Sequence, residues 1–301
     1  MHAIEVHELR KRYGDVEAVS GVEITVEQGE VFCLLGPNGA GKTTTVEILE
    51  GFRARSGGEV SALGHDPQKG ERAFRERLGI VLQESGVQPT LTVAELLDMY
   101  GSYYARRRGT DELLDLVELN EKRNAYAGSL SGGQRRRLDL ALALVGDPDL
   151  IFLDEPTTGF DPSARRRAWS TIKGLCELGK TVFLTTHFMD EAQELADRIA
   201  VMREGRVVAA GTPQELGGRD EGPGEVRFVL PHGVELPSMN GDRVEMDGDR
   251  RVLIHAHDPL LVSHRITGWA LERGVELRGF TVQRPTLEDV YLRLTAATEE
   301  A

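Results

Sequence analysis

Residues 36–44 have the types and spacing of a loop that holds phosphate. They read GPNGAGKTT, follow the apolar run Val31–Leu35 and lead into a helical pattern over 43–49. In such a strand–loop–helix arrangement, glycines let backbone N–H groups turn toward phosphate oxygens, and the helix adds its positive end. We expect Lys42 to contact the outer phosphates of a nucleotide and the Thr43 hydroxyl to bind Mg²⁺. A glycine-rich turn that matches by chance is the less favoured interpretation. The predicted phosphate-binding residues are Gly36, Pro37, Asn38, Gly39, Ala40, Gly41, Lys42, Thr43 and Thr44.

Two adjacent carboxylates, Asp154 and Glu155, end an apolar run that begins at Leu150. Carboxylates at the end of a buried strand are costly unless a cation or a proton uses them. We expect Asp154 to orient water on Mg²⁺ and Glu155 to take a proton from the attacking water.

Gln83 and His187 also follow apolar, strand-like runs. Ligands bind outside the carboxyl ends of parallel strands, where residues at these positions would meet. The Gln83 amide would reach Mg²⁺ or its water, and His187 would contact the γ-phosphate. A purely structural role is the alternative for each residue when it is taken alone.

The pentapeptide LSGGQ spans residues 130–134 and precedes a helical pattern. Ser131 and Gln134 make a capping box, which by itself explains a helix start. Two glycines at the positive end of a helix also make an anion site, and residues 135–137, all arginine, would strengthen its field. The residues concerned are Leu130, Ser131, Gly132, Gly133 and Gln134.

Tyr13 lies ahead of the phosphate loop in sequence. A lone tyrosine there usually packs or lies in a turn. It would alternatively stack on an adenine ring, in the way that nucleic-acid bases stack on aromatic side chains.

The composition is that of a globular protein and limits the class of partner. Of 301 residues, 40% are hydrophobic and 28% charged, and no apolar run is long enough to cross a bilayer. No signal peptide is expected, and Cys33 and Cys176 are expected to be reduced packing residues of a cytosolic protein. The formal net charge of −13 argues against nucleic acid as the main partner.

The motifs require an α/β fold that brings strand ends to one edge. Alternation over 4–7 and 19–27 predicts an antiparallel sheet beside this parallel core. A helical segment of about 86–145 interrupts the core, and its first helix begins with the capping box of Thr92 and Glu95. Tyr100, Tyr103 and Tyr104 fall at helical spacing, so we expect them to pack in the core.

Beyond the core, the pattern predicts a short helix that opens with residues 212–215, a linker at 218–224 and a separate α+β domain at 225–301. This domain is expected to contain strands near 226–230 and 275–282, a hairpin at 244–254 and a helix at 259–273 that Gly274 stops. A last helix is expected from Thr286. No catalytic constellation is evident in this part of the chain.

Residues 1 to about 217 resemble the ATP-binding cassette of ABC transporters, because the expected motifs occur in the expected order. Phe160 stands where that family more often has leucine. The resemblance identifies Tyr13 as the adenine-stacking aromatic, 36–44 as Walker A, Gln83 as the Q-loop glutamine, 130–134 as the signature, 150–155 as Walker B with catalytic Glu155, Gly159, Phe160 and Asp161 as the D-loop, and His187 as the switch histidine.

The C-terminal segment, with PTLEDVY at 285–291, is similar to the appendage of daunorubicin-resistance-type drug export ATPases. This similarity implies a separate membrane permease of the ABC-2 type and a role in efflux. The chain would then be peripheral at the cytoplasmic face of the membrane. The similarity does not identify the transported compound.

The resemblance implies an ATPase that works with Mg²⁺ as a head-to-tail homodimer. Each ATP would lie between one Walker A loop and the partner copy's signature, so that Ser131, Gly132 and Gly133 act in trans. An importer ATPase would have a similar cassette and differ mainly in its C-terminal segment. A soluble cassette protein acting on nucleic acid or ribosomes is less favoured, because this chain has one cassette, no heptad run and an acidic balance.

Overall fold

Alternating residues form the long strands of the chain, and continuous apolar runs form the short, buried ones. The computed structural model describes residues 1–81, 86–216, 224–239 and 241–283. Its strands are β1 (His2–Tyr13), β2 (Val16–Glu27), β3 (Val31–Leu35), β4 (Gly57–Ala62), β5 (Leu78–Val81), β6 (Leu150–Asp154), β7 (Thr181–Thr186), β8 (Arg198–Arg203), β9 (Arg206–Gly211), β10 (Gly224–Val229), β11 (Arg243–Met246), β12 (Arg251–Ala256) and β13 (Arg278–Gln283). Its helices are α1 (Lys42–Leu49), α2 (Arg72–Arg75), α3 (Val93–Gly101), α4 (Thr110–Leu116), α5 (Gly132–Leu144), α6 (Pro162–Glu177), α7 (Met189–Leu195) and α8 (Pro259–Arg273).

The chain divides into two compact units, Met1–Pro213 and Gln214–Ala301. The first is built on a sheet of order β5-β6-β7-β3-β8-β9, in which β9 alone runs antiparallel to its neighbour. Every residue of β3 and β7 is buried, as expected of central parallel strands. The rings of Phe32, Phe152 and Phe183 pack across neighbouring strands, with centroids 5.3 and 5.6 Å apart. This sheet brings the carboxyl ends of β3, β6 and β7 to one edge.

A second, antiparallel sheet of order β2-β1-β4 packs on the parallel one, as predicted. One cluster of buried side chains joins the two, with Ile4 and Val22 from the antiparallel sheet and Phe32 from the parallel sheet. The sheets therefore share one hydrophobic core.

The helical segment contains α3, α4 and α5, and α3 begins with the predicted capping box of Thr92 and Glu95. The tyrosine prediction is wrong for Tyr103, whose exposed fraction is 67%. Because α3 ends at Gly101, the helical spacing does not continue to this residue. Tyr104 is half-buried beside Gly146, where an added Cβ would lie 2.4 Å from the tyrosine ring.

The second unit is an antiparallel sheet of order β11-β12-β10-β13 with α8 packed on one face. The predicted hairpin and the bounds of α8, with Gly274 in the left-handed conformation after it, are confirmed. The prediction that a short helix opens with residues 212–215 is wrong, since residues 213–216 form a turn. Two glycines follow at once, so too few helix-forming residues remain to nucleate a helix.

The predicted last helix lies outside the described residues, as does most of the predicted linker. Within the ranges described, no helix has the length and apolar character needed to span a bilayer.

Candidate functional site

Lys42 opens α1, and its side chain folds back over the phosphate loop. The Nζ atom donates to the carbonyl oxygens of Gly36 at 2.7 Å and Pro37 at 3.1 Å, and the residue is only 5% exposed. Burial lowers the pKa of the Lys42 ammonium, while the Glu155 and Asp154 carboxylates act in the opposite direction. The ammonium is thus held beside the loop by neutral acceptors, for which a phosphate oxygen is a stronger replacement.

Two glycines let the phosphate loop approach neighbouring backbone. A Cβ on Gly36 would lie 2.3 Å from the carbonyl oxygen of Met202 in β8. At Gly41, where φ is +100°, it would lie 2.5 Å from the carbonyl oxygen of Ala18 in β2. Larger residues would push the loop off both strands. Of the other predicted phosphate-binding residues, Pro37, Asn38, Gly39 and Thr43 are exposed, Thr44 is half-buried and Ala40 is buried.

The two predicted carboxylates end β6, and both are tied to β7. Asp154 Oδ1 accepts a hydrogen bond from the Thr185 hydroxyl, and the Glu155 N–H donates to the Thr185 carbonyl oxygen at 3.1 Å. Glu155 has φ of +46°, a conformation that non-glycine residues adopt at a cost and that concentrates at functional sites.

The Glu155 side chain lies between Lys42 and His187. Its Oε1 atom is 4.0 Å from Lys42 Nζ and 3.0 Å from His187 Nδ1, while the Thr158 hydroxyl donates to Oε2 at 3.1 Å. His187 follows β7 directly, so the parallel order of β3, β7 and β6 brings the three residues together. The arrangement places a carboxylate, a cation and an imidazole beside the phosphate loop.

The predicted metal ligands are described only in part, because Gln83 lies outside the described residues. Thr43 and Asp154 supply a hydroxyl and a carboxylate, the hard oxygen donors that Mg²⁺ prefers. Across the described ranges, no group of three or more His, Cys, Asp and Glu side chains is placed to hold a metal ion. The pair of Thr43 and Asp154 nevertheless fits Mg²⁺, because this ion usually binds through one or two protein groups together with phosphates and waters.

The LSGGQ segment forms the predicted capping box at the start of α5. The Ser131 hydroxyl accepts from the Gln134 N–H, and Gln134 Oε1 accepts from the Ser131 N–H at 3.0 Å. Gly132 is exposed, Gly133 half-buried and Leu130 buried. Among the described residues, no hydrogen bond joins this segment to the cluster of Lys42, Glu155 and His187.

The expectation that all three arginines at 135–137 strengthen the field at Ser131–Gly133 needs correction. Arg136 donates to the carbonyl oxygens of Asp154 at 2.9 Å and Pro156 at 3.4 Å, and Arg137 donates to that of Glu118 at 2.9 Å. Both guanidinium groups bind backbone carbonyls of other segments. Of the three arginines, the exposed Arg135 is therefore the one that remains to strengthen the field at Ser131–Gly133.

Tyr13 ends β1 and is 40% exposed. Lys11 Nζ lies 4.9 Å and Arg53 Cζ 5.3 Å from the centre of its ring. An exposed, cation-flanked ring is free of the core, which favours the stacking interpretation over packing.

The predicted D-loop leads into α6. Asp161 caps this helix and accepts from the N–H groups of Ser163 and Ala164, both at 2.9 Å, and these bonds lower the pKa of its carboxyl group. Gly159 turns with φ of +80°, and Phe160 is half-buried. Asp161 therefore has a capping role within its own chain, which the motif alone did not predict.

Sequence reasoning missed several residues that contact the loop carrying Glu155, among them Thr185, Arg136 and, through Thr157, Glu191. Thr157 directly follows the two carboxylates and their proline, which is a weak signal of a local role. Glu191 carries no signal, because an acidic residue in the first turn of a helix usually faces solvent.

Comparison with known proteins matches the chain to two family models. Residues 19–158 match the ABC transporter model, and residues 224–286 match the model of the ABC transporter domain-containing protein-like C-terminal domain. The Nod factor export ATP-binding protein I of Burkholderia pseudomallei is 40% identical, covering 97% of this chain and 96% of the relative. That of Rhizobium etli is also 40% identical and covers 100% of this chain and 95% of the relative.

Solved structures show the same cassette fold. CbiO1 from Clostridium perfringens, part of the ABC transporter complex cbiONQ, is 30% identical with a TM-score of 0.64 over 71% of this chain and 90% of its own. A dimeric ATP-binding cassette in a post-hydrolysis state, bound to ADP and Pi, is 26% identical with a TM-score of 0.62 over 69% and 98%. The predicted fold, an α/β P-loop cassette with an antiparallel sheet, a helical segment and an added C-terminal α+β part, is confirmed. The chain belongs to the ATP-binding subunits of ABC transporters, ATPases whose hydrolysis of ATP is coupled to transport.

Proposed function

We propose that this chain is the ATPase subunit of an exporter and that a separate permease of the ABC-2 type carries the cargo. The observation that carries the proposal is the extent of similarity to export proteins, which spans 97% of this chain and includes its C-terminal unit. An importer cassette would be expected to match over the first unit alone. The cargo we propose is a drug, an antibiotic or another hydrophobic compound, in keeping with the daunorubicin-resistance-type C-terminal segment.

In the proposed reaction, Lys42 exchanges its two carbonyl acceptors for phosphate oxygens, and Tyr13 stacks on the adenine. Glu155 accepts the proton of the attacking water, and His187, 3.0 Å from the carboxylate, contacts the γ-phosphate. Mg²⁺, held by Thr43, Asp154 and Gln83, would supply positive charge to the phosphates.

The second half of each site comes from a second copy of the chain. At the start of α5, the N–H groups of Gly132 and Gly133 have no hydrogen-bond partner among the described residues, which suits them to the γ-phosphate of a partner's ATP. Moving an open–closed equilibrium from 1:99 to 99:1 requires about 5.5 kcal/mol of differential binding. Two nucleotides would share this as about 2.7 kcal/mol each, which is reasonable for charge-assisted hydrogen bonds.

Substitution of Glu155 by Gln tests the chemistry and the assembly together. The variant keeps size and shape but loses the base, so ATP hydrolysis should fall by about 10²–10⁴-fold while MgATP binding is retained. It should accumulate as an ATP-dependent dimer in light scattering, and adding Ser131→Arg should abolish that dimer. Glu177→Gln, on the exposed end of α6, is the matched control. Wild-type hydrolysis by Glu155→Gln would exclude Glu155 as the base. ATP binding without dimerisation, even beside the permease, would exclude the shared site.

The direction of transport is tested in inverted membrane vesicles that contain the chain and its permease. The cassettes then face the medium, so added MgATP should drive a hydrophobic dye into the lumen of the vesicles. Lys42→Ala should abolish this accumulation. The chain should sediment with membranes only when the permease is present. Dye leaving the vesicles, or membrane binding without the permease, would contradict the proposal.

A further inference from the structure

The loop that follows β6 holds Glu155 in an unfavourable backbone conformation, so other contacts must maintain it. Arg136 binds the carbonyl oxygens of Asp154 and Pro156, on either side of Glu155. The Thr158 hydroxyl binds the Glu155 carboxylate itself. Thr157, in the same loop, is completely buried.

Thr157 meets a completely buried acid. The Thr157 hydroxyl donates to Glu191 Oε1 at 2.7 Å, and both residues have no exposed surface. The Trp169 Nε1–H of α6 donates to the same oxygen at 3.1 Å. The other carboxylate oxygen of Glu191 is buried and has no hydrogen-bond partner among the residues that the structure describes. Burying a carboxylate with one oxygen unsatisfied destabilises the folded state. If packing were the only requirement, an apolar residue would fill the site at a lower cost in free energy.

Glu191 lies on α7, the helix that starts directly after His187. Phe188 caps this helix, and its carbonyl oxygen accepts from the N–H of Ala192. Arg165 of α6 contacts both Phe188, 4.7 Å from its ring, and Asp190, at 3.1 Å. The helix is therefore held by α6, through Arg165 and Trp169, and by Thr157.

We infer that Glu191 is a positioning residue for ATP hydrolysis: through Thr157 it fixes the loop that carries Glu155 relative to the helix that follows His187. The inference rests on the proposed roles of Glu155 and His187. The side chains of Glu155 and His187 are in contact at 3.0 Å, although the two residues are more than thirty positions apart in the chain. The bond from Thr157 to Glu191 is a second link between the same two segments, and it lies where solvent cannot compete for it.

The test compares two substitutions that each remove one hydrogen bond to the same Glu191 oxygen. Thr157→Val removes the bond from the catalytic loop, and Trp169→Phe removes the bond from α6. We expect Thr157→Val to lower kcat for ATP hydrolysis by about tenfold to a hundredfold, because small displacements of catalytic groups have effects of this size. Its KM for ATP should stay within about twofold of the wild type, since Lys42 and the phosphate loop are untouched. Trp169→Phe should keep kcat near the wild-type value.

Two further variants separate positioning from folding. Thr157→Ser keeps the hydroxyl and should restore kcat, while Thr171→Val, the same substitution on α6 at a hydroxyl that binds Arg167 O, should have no effect. Thr157→Ala replaces the valine variant if the latter does not fold. Unchanged kcat in folded Thr157→Val or Thr157→Ala, or an equal loss in Trp169→Phe, would overturn the inference. Glu155→Gln measured alongside distinguishes the two failures: if it is inactive while Thr157→Val is fully active, only the role of Glu191 is wrong.

Discussion

At the scale of single residues, the site depends on charged groups that are removed from water before any ligand arrives. Lys42 is buried with carbonyl oxygens as its direct acceptors, and Glu155 shares its two oxygens among Lys42, His187 and Thr158. Such groups are held in place at a cost in solvation, which a bound phosphate would offset.

The role of Lys42 can be measured directly. Lys42→Ala should weaken MgATP binding by about tenfold to a hundredfold or more. A hydrogen bond to a charged group contributes about 1.5–3 kcal/mol, and Lys42 is expected to make at least one such bond. Lys173→Ala serves as control, since Lys173 lies on α6 in an exposed ion pair with Glu194. Titration calorimetry with each variant compares the affinities. Near-normal affinity in Lys42→Ala would remove the phosphate-binding assignment.

A second buried acid predicts a pH effect on stability. Glu50, at the end of α1, is 6% exposed, and burial, assisted by Asp154 and Glu47, raises its pKa to about 8 from an ordinary value of 4.5. The folded chain therefore binds more protons than the unfolded chain between pH 4.5 and 8. The free energy of unfolding should fall as pH rises through this range, by at most about 1.4 kcal/mol per pH unit from this group.

Glu50→Gln should remove that slope, so the variant should gain stability relative to the wild type from pH 5 to pH 8. Urea unfolding in metal-free buffer at several pH values measures the difference, and Glu177→Gln should follow the wild type throughout. A constant difference between Glu50→Gln and the wild type across the range would show that Glu50 is already ionised in the folded state.

Sequence alone predicted that Glu155 and His187 would meet beside the phosphate loop, because each follows a strand, and the structure brings them together with Lys42. It did not predict Glu191 or Glu50, because burial of an acid depends on how α7 and α1 pack, which no local pattern records. It also did not predict that Arg136 faces the carbonyl oxygens beside Glu155, since its neighbours in sequence face elsewhere. Contacts between distant segments are the part that requires the fold.

At the scale of elements, starts and stops with a local mechanism were predictable. The capping boxes of α3 and α5 and the glycine after α8 are read from four or five adjacent residues. The end of α3 was not predictable, because residues 102–104 contain no glycine or proline to mark it. The turn at 213–216 shows the converse: good capping residues do not make a helix when the chain lacks residues to continue it.

The cap of α3 provides a test at this scale. Thr92→Ala removes both the hydroxyl that accepts from the Glu95 N–H and a partner of the Glu95 carboxylate. The free energy of unfolding should fall by about 1 kcal/mol, the usual loss for a helix cap, while Thr92→Ser should retain most of it. Thermal unfolding of both variants measures this. Equal losses in the two would indicate that the threonine methyl group, and not the cap, is responsible.

At the scale of the whole molecule, the two units have separate hydrophobic cores. The core of the first includes Ile4 and Phe152, and that of the second includes Val226 and Ile266. The nucleotide-site residues within the described ranges all come from the first unit. The second unit has its own family match over residues 224–286. We propose that the first unit carries the nucleotide chemistry and that the second couples it to the dimer or the permease.

A chain that ends at Gly222, within the predicted linker, tests this division. It should fold cooperatively and bind MgATP with the affinity of the full chain, because Lys42, Glu155 and the shared core of the two sheets remain intact. The dimer formed by Glu155→Gln, or its attachment to the permease, should weaken in the shortened chain. Circular dichroism on heating, titration with MgATP and light scattering measure the three properties separately. A shortened chain that does not fold would show that the first core depends on the second. A shortened chain that folds, dimerises and supports transport as before would show that the second unit has a different task, because neither coupling nor stability would then require it.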